Sequence, residues 1–342
     1  MQFPGMGKPA VGLIVDTDLG SRIDDVLALA LLYGLDGKNE GRVVAVSVSR
    51  PNLKAAALAE VIGRFYAGTV SGAFGSFSRT LPVGLAASAR MAEDTPMLVQ
   101  PLSRKEYQHG IHSLNDTAEP VPLLRNALTA QHDQNAIVIL NGPATTLAKM
   151  LALPGIKDLI TAKVRYLVVS GGNFVGGEPE LHMRSDAAAA QKLFAEWPGP
   201  IVVSGEEIGA QILFPASSIE KDFAWSTAHP VVDAYRAYRA MPYDAPTNNL
   251  AAVLYAVRPN ENYFRLSEPG VISVDDSGRT KLTPSGGGKH RHLIFDPEQK
   301  ERVLKTYIEL ASAKPVPRMP RFPRQQQQQQ QQQTPPAKKA ND

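Results

Sequence analysis

The apolar run Val11-Gly-Leu-Ile-Val15 leads directly into four aspartates within ten residues: Asp16, Asp18, Asp24 and Asp25. Carboxylates held this close repel one another, and a fold that gathers them commonly does so around a hard cation with oxygen ligands. The run before the cluster reads as a buried strand, and the Leu- and Ala-rich stretch over residues 24–35 reads as a helix. The acidic cluster is therefore a strand-to-helix loop. In an open parallel α/β sheet such a loop lines the crevice beyond the carboxyl ends of the strands, where ligands bind. Asp16 and Asp18 are two apart and share one face of an extended backbone, while Asp24 and Asp25 open a helix whose positive dipole end tolerates anions. Helix capping accounts for one or two of these residues; four point to a cation or catalytic site.

The alternation continues along the chain. Residues 42–48, 136–140, 164–169 and 201–203 read as strands, and 53–67, 122–131, 143–153, 186–196 and 246–257 as helices, with Ser185 or Asp186 capping the fourth. Residues 81–84 form a short extended stretch after a Gly/Ser-rich segment, 68–79, that looks like an insertion. Residues 273–283, with their Asp-Asp-Ser-Gly turn, read as a hairpin, and 297–313 as a closing helix. With 342 residues and 43% hydrophobic content, this order predicts an α/β fold. The expected architecture is an open, mostly parallel central sheet flanked by helices, with a small β-hairpin near the C-terminus. A single domain is expected over residues 1–313.

Beyond that point the composition changes to Pro- and Arg-rich sequence, nine glutamines (Gln325 to Gln333) and a polar end, so residues 314–342 are expected to be a disordered tail. The whole chain holds 36 Lys and Arg against 33 Asp and Glu, and the tail holds six of the former and one of the latter. The remainder carries 30 basic against 32 acidic residues and is not basic. Nucleic-acid binding by the tail lysines and arginines is a rival reading, but no aromatic platform or nucleic-acid motif accompanies them, and no nucleic-acid partner is expected. The absence of cysteine excludes disulfides, thiolate metal sites and cysteine nucleophiles. No basic start with a long apolar stretch marks a secretory signal, and no run approaches transmembrane length. A cytoplasmic protein without a membrane partner is expected.

The segment VDTDLGSRIDDVLALA resembles the amino-terminal signature of the inosine-uridine-preferring nucleoside hydrolases, in particular a bacterial branch whose loop is two residues longer than the short DxDPGxDD form. Further landmarks follow in the family's order. Ser49-Arg-Pro-Asn52 is similar to the segment that supplies an active-site asparagine, and Asn141-Gly-Pro-Ala-Thr-Thr-Leu147 to the glycine-containing turn after a middle strand. Ser170-Gly-Gly172, Glu180-Leu-His182 and Asp186-Ala-Ala-Ala follow the GG…EFN…DPxAA order, and Pro246-Thr-Asn-Asn-Leu250 stands in place of a PTxDL-like stretch. The resemblance spans residues 11 to about 310.

It implies a Ca²⁺-dependent hydrolase that releases base and ribose from a ribonucleoside, in purine or pyrimidine salvage. Relatives are commonly homodimers or homotetramers. By resemblance Asp18 is a metal ligand and the general base, Asp25 a second and bidentate ligand, the backbone carbonyl of Asn141 a third, and Asn249 fills the fourth protein position. Asp24, Glu180 and His182 would bind ribose hydroxyls; Asn52 would orient the sugar or the catalytic aspartates, Asn173 would be a further substrate contact, and Asp16 would support the loop from behind. Ca²⁺ accepts six to eight oxygen ligands and keeps waters, so it can orient and acidify one of them. The departing base leaves an oxocarbenium-like sugar that the anionic site suits.

Three departures from the family pattern stand out. Asn249 replaces an aspartate and removes one negative charge, His182 replaces an asparagine, and Arg22 lies inside the aspartate loop, where it can neutralise a carboxylate and partly substitute for the cation. Asn248 also stands where some relatives carry a histidine proposed to protonate the base, so no general acid is identified. A degenerate member that binds a nucleoside or sugar without turnover is the alternative these changes raise. A haloacid dehalogenase-type phosphatase, with Asp16 as nucleophile, fits less well because Asp24 and Asp25 follow too closely. The segment 170–177 matches neither the dinucleotide fingerprint nor the phosphate loop. His290 and His292 alternate on an extended segment without a third zinc ligand and read as surface or substrate-mouth residues. His109 and His112 fall on a loop that resembles one lining the base pocket.

Overall fold

The computed structural model describes residues 10–72, 75–78, 81–88 and 90–316. Among them are fourteen strands: β1 (Gly12–Thr17), β2 (Arg42–Val48), β3 (Thr69–Gly72), β4 (Gly75–Ser78), β5 (Val83–Leu85), β6 (Ala136–Asn141), β7 (Val164–Ser170), β8 (Ile201–Ser204), β9 (Leu213–Phe214), β10 (Ala245–Pro246), β11 (Arg265–Leu266), β12 (Gly270–Val274), β13 (Thr280–Pro284) and β14 (His290–Ile294). Ten form one sheet in the order β13-β12-β14-β8-β7-β6-β1-β2-β5, with β11 paired to β14. From β5 to β14 every pairing along this path is parallel, and β12, β13 and β11 add antiparallel edges near the C-terminus. The expected fold class is thus present: a mostly parallel α/β sheet flanked by helices.

The central strands β1 and β6 read as unbroken apolar runs because both faces of the sheet are covered there. In β1, Leu13 and Val15 face one core, shared with helix α1 (Ile23–Gly37), helix α2 (Leu53–Ala67) and the helices Asn248–Val257 and Lys300–Ala311. Ile14 faces the other, shared with the helices Pro120–Thr129, Thr145–Met150, Ile156–Lys163 and Ala187–Glu196. The same alternation divides Ile137 and Ile139 of β6 from Val138 and Leu140. Thirteen residues of α1 are buried, which follows from its nearly continuous Leu/Ala sequence. Among the described residues no helix is long and apolar enough to cross a membrane.

Several boundaries differ from the sequence reading for identifiable reasons. The segment 68–79 holds the β3–β4 hairpin. The helix expected over 143–153 spans Thr145–Met150; its start is delayed where Gly142 passes close over the aspartate loop, a Cβ there lying 2.9 Å from the Asp18 backbone nitrogen and 2.8 Å from Ser49 Oγ. The helix expected from Pro246 starts at Asn248, because Ala245 and Pro246 pair with Phe214 and Leu213. Asp186 caps Ala187–Glu196 through Ala189 N–H (3.1 Å). His290 is buried, and its Nδ1 accepts from the Ile272 N–H (3.0 Å), while His292 stacks on Phe174 at 4.3 Å. The first of these is a sheet residue and not a surface one. The tail from residue 317 lies outside the described residues.

Candidate functional site

The strand order places β1 between β2 and β6, so the loop following Thr17 opens at the carboxyl edge near the middle of the parallel sheet. Three further segments reach the same point: Asn141 at the end of β6, Ser170 to His182 beyond β7, and the start of the Asn248–Val257 helix. All four aspartates are buried, as are Asn141, Glu180, His182 and Asn249. A run of anionic groups at 6% exposure or less requires compensation from nearby donors or cations.

Asp16 sits on β1 opposite Ser47 of β2 and accepts from Ser47 Oγ at 2.5 Å. Burial pushes its carboxyl up to about 7, only partly opposed by Ser47 and Thr146. Asp18 accepts nothing on its buried Oδ1, while its backbone N–H donates to the Asn141 carbonyl (3.0 Å). Burial raises Asp18, while His182 in its charged form, 3.4 Å from Oδ1, together with Ser21 and Arg22 draws it below the usual carboxylate range. Asp25, at the third position of α1, turns back to accept from the N–H groups of Ser21 (3.2 Å) and Arg22 (2.9 Å). Its other oxygen accepts from Asn249 Nδ2 at 2.7 Å, and Asp24 accepts from the Asn249 N–H at 3.0 Å. Burial, with Asp18 and Asp24 alongside, pushes Asp25 well above its ordinary value; burial also raises Asp24, against Arg22 and Asn249.

Arg22 closes the arrangement. Its Nη2 donates to Glu180 Oε1 (3.1 Å) and lies 3.0 Å from His182 Nε2; with the Asn248 amide turned to suit its neighbours, Asn248 Oδ1 accepts from Nη1 at 3.2 Å. Glu180 also caps Leu181–Ser185 through the N–H groups of His182 and Met183. His182 Nδ1 meets the Ser170 carbonyl at 2.9 Å, so Nδ1 carries a proton. The two neighbours of Nε2 make opposite demands. Asp18, 3.4 Å away, and Glu180 draw the ring toward its charged form against burial, whereas a guanidinium can donate only to a free lone pair. A second proton on Nε2 therefore requires Arg22 to withdraw.

Of the residues singled out in the sequence, Asp18, Asp24, Asp25, Asn141, Glu180, His182 and Asn249 meet in this network, with Asp16 behind it. Asn173 lies to one side, lining a cleft of about 100 Å³ next to Glu180, and donates to Glu206 Oε1 at 3.1 Å. Asn52 is the N-cap of α2: it accepts from the Ala55 N–H (3.1 Å) and donates to Ala92 O (2.9 Å) and Asp94 Oδ1 (3.0 Å). Ser47 is absent from the sequence reading, and Ser170 enters it only as the start of the Ser170-Gly-Gly172 landmark. The lone hydroxyl in the apolar stretch Val43–Val48 of β2 is the available signal for Ser47; Ser170 acts through its carbonyl on His182 and its Oγ on the Asn248 carbonyl (3.1 Å), contacts that no local pattern marks.

Among the described residues no group of three or more His, Asp and Glu side chains is arranged to hold a metal ion. The oxygen set is instead mixed, two carboxylates with Asn141 and Asn249; the Asn141 backbone carbonyl, the expected ligand, accepts from the Asp18 N–H, and its side-chain Oδ1 is the unpaired oxygen. The Oδ1 atoms of Asp18, Asn141 and Asn249 are all buried without a hydrogen-bond partner. Unpaired buried oxygens are costly, and hard oxygen donors of this kind suit a divalent cation once the Asn249 amide, whose Nδ2 now faces Asp25, turns its oxygen to the site. On this test the residues fit a divalent ion.

The family description "Inosine-uridine preferring nucleoside hydrolase" matches residues 13–314. The chain belongs to this family and is a nucleoside hydrolase. Among solved structures, the inosine-uridine preferring nucleoside hydrolase from Bacillus anthracis is similar at 17% identity and TM-score 0.65, covering 88% of this chain and 99% of that one. The purine-preferring ribonucleoside hydrolase from Gardnerella vaginalis is similar at 19% identity and TM-score 0.66, covering 88% and 98%. The type III effector protein XopQ, solved with adenosine diphosphate ribose, is similar at 13% identity and TM-score 0.64, covering 90% and 95%. No curated protein sequence matches the chain.

Proposed function

We propose that this chain hydrolyses the N-glycosidic bond of ribonucleosides to free base and ribose, with Asp18 as the general base. The observation that carries this reading is Asp18 itself: a buried carboxylate whose Oδ1 makes no hydrogen bond, the nearby His182 Nε2, 3.4 Å away, being turned to Arg22. Such an oxygen can take a proton from water without first breaking a hydrogen bond. Asp18, Asp25, Asn141 and Asn249 would hold Ca²⁺, which when bound supplies an acidified water and stabilises charge. Asp24, Glu180 and His182 would orient the ribose through its hydroxyls, and the concentration of carboxylates favours positive charge developing on the sugar. Asp16, hydrogen-bonded to Ser47, fixes the end of β1 from which Asp18 projects.

A binding-only reading is favoured by one specific observation: groups assigned to the sugar are already bonded to each other, with Arg22 on Glu180 and next to His182. A protein of this fold holds adenosine diphosphate ribose, which makes a bound sugar without turnover chemically reasonable here. Release of base and ribose from a nucleoside panel, with Ca²⁺ or chelator, separates the two readings. Turnover by wild type that is lost in Asp18→Ala supports hydrolysis. Turnover that arises only in Asn249→Asp supports binding without catalysis.

A further inference from the structure

We propose that Arg22 is the resident counter-cation of the metal-free site and that it opposes a divalent ion, so that this chain takes up Ca²⁺ weakly. The inference rests on the cation placement given under Proposed function and adds to it what sets the affinity. Arg22 starts from the aspartate loop itself, at the N-cap of α1, and its guanidinium spans 158 residues of sequence to reach Glu180. Its strongest electrostatic partners are Asp24, Asp25, Glu180 and Asp18, so it shares Asp18 and Asp25 with the proposed ion. An arginine stays charged at any ordinary pH, and this one keeps only 20% of its side chain exposed. A permanent positive charge is thus fixed among four buried carboxylates.

Asn249 completes the metal-free arrangement. Its Nδ2 donates to Asp25 Oδ1 at 2.7 Å, placing an amide hydrogen where an ion would need an oxygen. Its own Oδ1 is buried without a partner, so the amide must turn over before it can offer that oxygen alongside Asp25. An aspartate here could make the same bond to Asp25 only by sharing a proton with it, which a divalent ion would displace. An incoming ion therefore meets the like charge of Arg22 and must displace the Asn249 amide from Asp25. Arg22 is a positioning residue on this account: it orders Glu180 and His182 while the ion is absent and yields as the ion enters.

The test measures Ca²⁺ binding by calorimetry, and Tb³⁺ binding by luminescence, on the chelator-treated full chain. Wild type is compared with Arg22→Gln, Arg22→Met, Arg22→Lys and Asn249→Asp. The neutral Gln and Met variants should bind Ca²⁺ about ten-fold tighter than wild type or more, while Arg22→Lys, which keeps the charge, stays within about three-fold. Asn249→Asp should also bind tighter. In chelator the neutral variants should melt below wild type and recover more than wild type does on adding Ca²⁺, a dependence that a merely structural arginine would not produce. Arg22→Gln retains an amide for Glu180 and serves if Arg22→Met does not fold. If both neutral variants bind no tighter than wild type while Asn249→Asp does, the inference about Arg22 is overturned and the cation placement stands. If no variant takes up Ca²⁺ or Tb³⁺ at millimolar concentration, both are overturned.

Discussion

Replacing Asn249 by aspartate tests how the acidic site is held together. The substitution removes the 2.7 Å donor to Asp25 Oδ1 and puts a carboxylate in its place, against a group already pushed well above its ordinary range. Two unit charges about 4 Å apart repel by about 4 kcal/mol at an effective dielectric near 20, and the lost charge-assisted hydrogen bond adds about 1.5–3 kcal/mol. Sharing a proton between the two carboxyls relieves part of this, leaving a net loss of about 3 kcal/mol at pH 7 in the presence of chelator. For a chain of this size that lowers the melting temperature by about 5 °C. The sign of the pH dependence follows from the shared proton. Wild type already keeps a proton on Asp25 above the unfolded carboxyl value near 4, and the variant adds a second buried carboxyl raised in the same way, so over that window the folded variant holds more protons than folded wild type and its deficit widens as pH rises. Calcium should reverse the loss, because the new carboxylate and Asp25 then both face a cation. Thermal melts at pH 5, 6, 7 and 8, with chelator and with calcium, make the measurement. An Asn249→Asp variant as stable as wild type in chelator, or stabilised by calcium no more than wild type, would refute the reasoning.

Four further outcomes follow from the same structure. Asp16 is raised to about 7 by burial, so the folded state holds its proton while the unfolded chain loses it above pH 3.8, and stability falls as pH rises through that window. Asp16→Asn should therefore gain about 4 kcal/mol relative to wild type between pH 4 and 7 and level off above, as read by denaturant titration. His229 lies among Phe65, Tyr66, Phe223 and Trp225 with neither ring nitrogen hydrogen-bonded, and burial lowers it to about 3. The unfolded chain takes up its proton below pH 6.5, so His229→Phe should lose about 2 kcal/mol less than wild type between pH 7 and 5. Gly142→Ala, whose Cβ would fall 2.9 Å from the Asp18 nitrogen, should cost about 1–3 kcal/mol and reduce turnover by more than that loss of folding explains. Deletion of residues 317–342 should leave both the melting temperature and nucleoside turnover at wild-type values.

The parts of this fold that could be read in the sequence are those with a local cause. β1 and β6 were visible as apolar runs because each is buried on both faces, and α1 because its Leu/Ala sequence is buried almost throughout. The aspartate loop was visible because four carboxylates cannot crowd together without a reason. What escaped the sequence depends on contacts made across long separations. Arg22 was read as a neutraliser of its own loop, but its ties to Glu180 and His182 exist only because β7 lies two strands from β1. That β14 runs parallel beside β8, burying His290, is a property of sheet order that no local pattern encodes. The Asn249 hydrogen bond to Asp25 likewise joins residues 224 apart. Both replace what a sequence comparison shows only as a missing charge.

The most direct test of the proposed chemistry is the release of base and ribose from inosine and uridine, measured for wild type and Asp18→Ala with calcium and with chelator. Release by wild type in calcium, suppressed by chelator and reduced by about a thousand-fold or more in Asp18→Ala, is the predicted result. Release that is indifferent to chelator, or that survives in Asp18→Ala, would contradict it.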